Sequence, residues 1–394
     1  MKNSFKNLFL LTLFFSILIG CSQEELTSDE ELIIESSDFK ELEITQDDIL
    51  KIKKLEFNTT GLRLIEIITS KGIAEKYYIV EEDIRIAAHQ VDKMIGAASI
   101  SKQYNSNNIV DNDREITVRG VTQGSGAITN AQKNALLKAI ENYNNVGIGL
   151  RFRLTFGTKD NSKDINAIQV FDPRNGAQAD FPFGGNPGPE VRMFTGASGN
   201  NSLVLTHIWM HEIGHTLGLR HTDWNGRQSC PPELQGVEPV NPNGLPNVNG
   251  LNHIPGTPTG FDATSVMLAC FSTSENGQFG TYDVVALKHL YPWVGLPIVR
   301  TRNPDPTICT NVFVQPDRYM LPVSPGADTY ELTSNSSNLI VDRFVRPNQE
   351  ILMIASQPGN YRLTLKVSNS FGSRSATIFV TANQCNDDGG GFGF

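Results

Sequence analysis

The stretch His211-Glu212-Ile213-Gly214-His215-Thr216-Leu217-Gly218-Leu219-Arg220-His221 sets three histidines around a glutamate and two glycines. It closes an apolar segment that predicts a helix from about Leu203 to Leu217. On a helix, His-Glu-x-x-His puts two imidazoles on one face, one turn apart. His211 and His215 can then reach a single zinc ion at about 2.0–2.1 Å. Glu212 projects beside the metal, where it can hold a water and take its proton once zinc has lowered that water's pKa to about 7. Gly218 permits the left-handed turn that ends the helix and folds the chain back. His221 then supplies a third nitrogen, and the fourth position stays open for water and substrate. The expected metal set is His211, His215 and His221 around one Zn2+, with Glu212 as the catalytic group.

The full pattern is that of the metzincin peptidases. Members of that group carry a methionine turn below the metal. Ser265-Val266-Met267 fits, with Met267 lying 46 residues beyond His221 (267 − 221) as an apolar floor that binds no zinc. Met267 and Gly218 are thus expected as structural support. The form His-Glu-Ile-Gly-His resembles the dual-action HEIGH metallopeptidase family of bacteria. The resemblance spans roughly residues 75–295 and includes Tyr78-Ile79-Val80-Glu81-Glu82-Asp83-Ile84. It implies zinc-dependent endopeptidase activity, with attack of activated water on a peptide carbonyl and Glu212 as general base. Astacin-like and serralysin-like enzymes carry a tyrosine two residues after the turn methionine, which can help stabilise the oxyanion. Ala269 stands at that position here, so Tyr282, a main-chain N–H or the zinc alone must serve.

Outward from this site, the fold class expected is α+β: a metzincin-like catalytic domain over residues 115–295, followed by an all-β immunoglobulin-like sandwich over 300–386. Short strands are predicted at 61–68, 74–80, 116–119, 150–156 and 165–171, and helices at 82–94, 130–143 and 281–290. Residues 178–189 are rich in Gly and Pro and read as loop, and 190–194 as a short edge strand. Thr222 to Gly260 is dense in Pro, Asn and Gly, hence loop. After Tyr291-Pro292, short strands are predicted at 310–314, 329–332, 338–344, 350–354, 361–368 and 374–381. Residues 46–114 form an N-terminal region, either a propeptide or a fixed supporting subdomain. No cysteine lies between residues 22 and 229, so a cysteine latch over the zinc is excluded, whereas Glu81, Glu82 or Asp83 are acids that can provide one.

The chain has 394 residues and a net charge of −9, with no block of Lys and Arg, which argues against a nucleic-acid partner. Lys2 and Lys6 precede the apolar run Leu8 to Ile19, which is short for a bilayer span and reads as an export signal. Leu18-Ile19-Gly20-Cys21 resembles the lipobox of bacterial lipoproteins. It implies lipidation of Cys21, an acidic tether over 22–45, and a place on the cell envelope, at the outer membrane or cell surface. Cys230, Cys270, Cys309 and Cys385 remain, and the domain split favours the pairs Cys230–Cys270 and Cys309–Cys385. The Gly-rich end, 387–394, reads as a flexible tail. A monomer acting on protein or peptide substrates is expected. The rival reading is a non-catalytic surface adhesin whose zinc is structural.

Of the remaining residues, His207 belongs to the core or backs the metal ligands, and His253 lies in a loop expected to border the cleft. His89 and His289 carry no signal. Asp223 either orients His221 or is a polar loop residue, and Trp224 either walls a substrate pocket or packs.

Overall fold

The computed structural model describes residues 39–385, except 56, 69–72, 98–107, 225, 236–253, 259, 303 and 311–318. The export signal with Cys21, the acidic residues up to 38, His253 and the tail 387–394 lie outside the described residues. Among those described, no helix is long and apolar enough to cross a membrane.

The chain runs β1 (Phe39–Leu42), α1 (Gln46–Lys54), β2 (Arg63–Ile68), β3 (Ala74–Val80), β4 (Ile84–Ala87), α2 (Val91–Ala97), β5 (Glu115–Val121) and α3 (Asn130–Asn145). It continues through β6 (Arg151–Gly157), β7 (Ile165–Val170), β8 (Ala177–Asp180), β9 (Glu190–Phe194), α4 (Ser202–Leu217) and α5 (Thr281–Leu290). These nine strands form one mixed sheet in the order β1-β2-β3-β4-β8-β9-β7-β5-β6. The sheet is continuous across residue 114, because β4 pairs in parallel with β8 through Ile84 and Ala179.

Local chemistry sets the helices. Thr129 and Gln132 close a reciprocal capping box at the start of α3, at 3.2 and 2.9 Å. Asn201 caps α4 by accepting from Leu203 N and Val204 N at 2.9 and 3.1 Å. From Val204 to Leu217 every residue of α4 is buried, the pattern of a helix running through a core rather than over one. It is tied to α3 by Tyr143 Oη donating to Met210 O at 2.7 Å and Trp209 Nε1 donating to Gln132 O at 3.0 Å. Ile116, Val118 and Leu136 are fully buried beside these aromatics and close the core between sheet and helices.

Three expectations change. Residues 84–87 form strand β4 instead of opening a helix, which starts only at Val91. The alternation of Ile84 and Ile86, flanked by β3 and β8, outweighs the helical spacing over so short a run. Residues 177–180 form β8 within the stretch read mostly as loop. Ala-Gln-Ala-Asp carries no strand signal of its own, and pairing on both sides holds it extended. Finally, β9 is interior, hydrogen-bonded to β8 and β7, not an edge.

The C-terminal β region contains β10 (Thr307–Cys309), β11 (Thr329–Ser334), β12 (Leu339–Val341), β13 (Met353–Ala355), β14 (Gly359–Asn369) and β15 (Gly372–Asn383). They make a four-stranded sheet, β10-β15-β14-β11, and a two-stranded one, β12-β13, around a separate apolar cluster that includes Leu363, Leu365, Val367 and Met353. The cysteines pair as Cys230–Cys270 and Cys309–Cys385.

Candidate metal centre

Helix α4 ends where the site needs it to end. Gly218 has φ +104, its N–H meets His215 O at 3.0 Å, and Leu219 N meets Gly214 O at 3.0 Å. These two bonds form a Schellman motif, whose left-handed residue glycine tolerates without strain. A Cβ on Gly218 would also lie 2.5 Å from Asn108 O, so glycine is required twice.

The turn brings His221 back onto the helix face. Its Nε2 lies 3.2 Å from His215 Nε2 and 3.3 Å from His211 Nε2, and the latter two are 2.9 Å apart. Four donors at 2.0–2.1 Å from a tetrahedral ion stand about 3.3 Å from one another, so this triangle fits one metal. The other ring nitrogens are engaged: His211 Nδ1 with Val266 O at 2.8 Å, and His215 Nδ1 with Leu219 O at 2.9 Å. A carbonyl accepts only from N–H, so both Nε2 atoms keep a lone pair directed inward. His221 Nδ1 meets the Glu81 carboxylate at 3.2 Å.

The cluster is built for a cation. Burial opposes charge on His221, yet Asp83 and Glu81 facing it push its imidazole up to about 10. Burial, then the neighbouring His211, push His215 down to about 4, leaving it a neutral donor. Glu212 is 3% exposed and its Oε2 meets no protein donor among the described residues. Burial first, and the Asp83 carboxylate second, raise its carboxyl well above the usual range.

Met267 packs against α4 at Gly214. A Cβ on Gly214 would fall 2.5 Å from Met267 Sδ, which gives the glycine inside His-Glu-Ile-Gly-His its purpose. The turn itself is pinned by Asp283 of α5. Its carboxylate accepts from Ser265 Oγ at 2.7 Å, Val266 N at 2.8 Å and Gly280 N at 2.9 Å. Val266 O in turn orients His211, so Asp283 acts on the metal through the turn. Asp283→Ala is expected to cost about 2–4 kcal/mol of stability and to weaken zinc binding roughly 10–100-fold. Thermal unfolding and chelator competition on the variant check both.

The other acids fall among the alternatives that the sequence leaves open. Asp223 does not touch His221. It accepts from Ala269 N at 2.9 Å and Ser229 Oγ at 2.6 Å, tying the loop after His221 to the chain after Met267, beside the Cys230–Cys270 bridge. Glu81, from the turn between β3 and β4, is what meets His221. From the same turn Asp83 joins the cluster, with Oδ2 3.0 Å from His221 Nε2 and 3.4 Å from His211 Nε2. Asp83, His211, His215 and His221 are the group among the described residues whose ligand atoms converge as a metal set.

His207 is buried, 3.4 Å from Glu275, and burial pushes it down to about 3, so it stays neutral beside the ligands. Trp224 is packed inside at 6% exposure, which favours packing over a pocket wall. Tyr282 is exposed and lines a small cavity with Met267, Thr222 and Asp283, to which no metal-binding imidazole contributes.

Residues 78–291 match the family profile described as dual-action HEIGH metallo-peptidase. The chain belongs to this family. As a member it is a metallopeptidase, and the histidine triad is its metal site. The match takes in the turn with Glu81 and Asp83 as well as α4, the methionine turn and α5. Two solved structures of myroilysin are similar at 15% identity and a TM-score of 0.31, covering 50% of this chain and 92% of theirs. No curated protein matches the chain.

Proposed function

We propose that this HEIGH-family protein is a zinc-dependent endopeptidase in which His211, His215 and His221 hold the ion and Glu212 is the general base. The observation that carries it is the convergence of three Nε2 atoms within 3.3 Å beside a buried carboxylate with one oxygen unpartnered. A bound zinc supplies acidification of water and polarisation of the scissile carbonyl. Glu212 receives the proton at its carboxylate and returns it to the leaving amine. Val266 O, Leu219 O and Glu81 keep the imidazoles oriented, while Met267 seals the floor against water.

The substrates are peptides or proteins, as the family implies, and the chain acts as a monomer. The layout proposed is a lipoprotein signal over 1–21, an acidic tether over 22–45, the N-terminal region over 46–114, the peptidase unit over 115–295 and an immunoglobulin-like sandwich over 300–386. A four-stranded and a two-stranded β sheet that share one apolar cluster support the sandwich. Lipidation of Cys21 at the bacterial envelope rests on Leu18-Ile19-Gly20-Cys21 after the apolar run. Cys21→Ser is expected to abolish incorporation of labelled palmitate and to release the protein from membranes. Incorporation unchanged in that variant contradicts the anchor.

The metal assignment is checked by titrating zinc into chelator-stripped protein. One equivalent should bind, X-ray absorption should show three imidazole nitrogens, and His215→Ala should lose the ion. A full equivalent held as tightly by His215→Ala places the metal elsewhere.

A further inference from the structure

One face of the C-terminal sheet is open to solvent along its length. Leu363, Leu365 and Val367 of β14 and Ile378 and Val380 of β15 point into the core, so the residues between them face outward. Strand register sets these outward residues in rows across β11, β14 and β15. Thr333, Thr364 and Thr377 form one row, all exposed, and Glu331, Lys366 and Ser375 form the next. Arg362 stands opposite Phe379. Phe344 extends the row of Glu331, because the segment after β12 bridges to β11 at that residue. Hydroxyls therefore lie between two aromatic rings on one surface, which shares no residue with the metal centre.

A single exposed ring is ordinary. Here two share a face, with Phe344 75% and Phe379 53% exposed. Each has a guanidinium over it, Arg343 at 5.2 Å from the Phe344 centroid and Arg362 at 5.8 Å from that of Phe379. Arg343 also pairs with Glu331 at 2.7 Å. Among the described residues, Arg362 and Lys366 pair with no carboxylate. A chain of net charge −9 thus presents a face on which cations outnumber acids. The complement of such a face is an anion.

The geometry narrows the partner further. Three strand spacings of about 4.8 Å and four residues of about 3.3 Å separate the rings, so they stand about 20 Å apart, roughly the length of four to five linked pyranose units. A peptide gains its main-chain hydrogen bonds at a sheet edge and finds none on a sheet face. A sugar chain uses what this face offers: hydroxyls that exchange hydrogen bonds, rings that cover the C–H faces of pyranoses, and guanidinium and ammonium groups for carboxylates.

We propose that this face binds an acidic polysaccharide of uronate type, laid diagonally from Phe344 to Phe379 with its carboxylates at Lys366 and Arg362.

The test titrates the full chain with polygalacturonate, beside neutral dextran and poly-glutamate, by isothermal calorimetry. Polygalacturonate should bind and dextran should not. A galacturonate hexamer should bind at least about tenfold more tightly than the dimer, which reaches one ring only. Arg362→Ala combined with Lys366→Ala should weaken polygalacturonate binding at least about tenfold. Phe344→Ala combined with Phe379→Ala should weaken it by about the same factor, a loss that attraction between charges alone would not produce. All four side chains are exposed, and melting curves matching the wild type check that the variants fold. No binding of polygalacturonate by the wild type overturns the proposal. So does binding that either double variant leaves unchanged, which places the site elsewhere. Poly-glutamate bound as tightly as polygalacturonate overturns it in favour of an acidic protein partner.

Discussion

Replacing Glu212 by alanine is expected to lower kcat/KM roughly 10²–10⁴-fold while the metal stays bound. That is about 3–5 kcal/mol of transition-state stabilisation. Glu212 ligates nothing in the structure, whereas the three imidazoles converge without it, so its loss leaves the metal set intact. A buried carboxylate with one oxygen that no protein donor meets among the described residues costs stability, so its removal should not destabilise the fold. The variant should melt at or above the wild-type temperature. Glu212→Gln, which keeps the shape but not the basicity, should lose activity to a similar extent. Steady-state kinetics, zinc stoichiometry and a melting curve on the same preparations separate loss of the base from loss of the site. Loss of zinc in step with activity would make Glu212 a structural support for the metal.

The second large effect is expected from Gly218→Ala. An L residue at φ +104 carries strain of about 1–2 kcal/mol. The new Cβ also meets Asn108 O at 2.5 Å, a backbone atom that cannot step aside as a side chain would. Overpacking of this kind adds about 1–3 kcal/mol. Relief must come from opening the Schellman turn, and that turn is what returns His221 to the metal. The variant should lose about 2–5 kcal/mol of stability and bind zinc at least about 100-fold more weakly. Gly214→Ala is the control on the same helix. Its Cβ meets Met267 Sδ, a side-chain atom, so it should cost less in stability and keep the third ligand. Equal zinc affinity in Gly218→Ala and the wild type would mean that His221 does not depend on this turn.

The metal ligands were legible in the sequence because helix geometry maps i and i+4 onto one face and a glycine announces the reversal. The turn at Met267 stood out through a local motif, Ser265-Val266-Met267, rather than through periodicity. Glu81 and Asp83 were legible only as acids in a suitable region. They reach the site across 139 and 138 residues of chain, and no local periodicity encodes such a contact. Asp283 was hidden similarly: its role appears only once α5 packs against the methionine turn. Strands β8 and β4 escaped because four residues carry too little pattern, and β8, being Ala-Gln-Ala-Asp, takes its conformation from the partners on either side. The cysteine pairs followed from where the fold changes grammar, since each bridge stays on one side of Tyr291-Pro292.

The most direct test is hydrolysis of a short peptide by the full chain, with and without a zinc chelator, beside the same chain carrying Glu212→Ala. Cleavage that the chelator stops, added zinc restores and Glu212→Ala abolishes while one equivalent of zinc remains bound is the predicted result. One equivalent of bound zinc with no cleavage by the wild type contradicts it and leaves a structural zinc site.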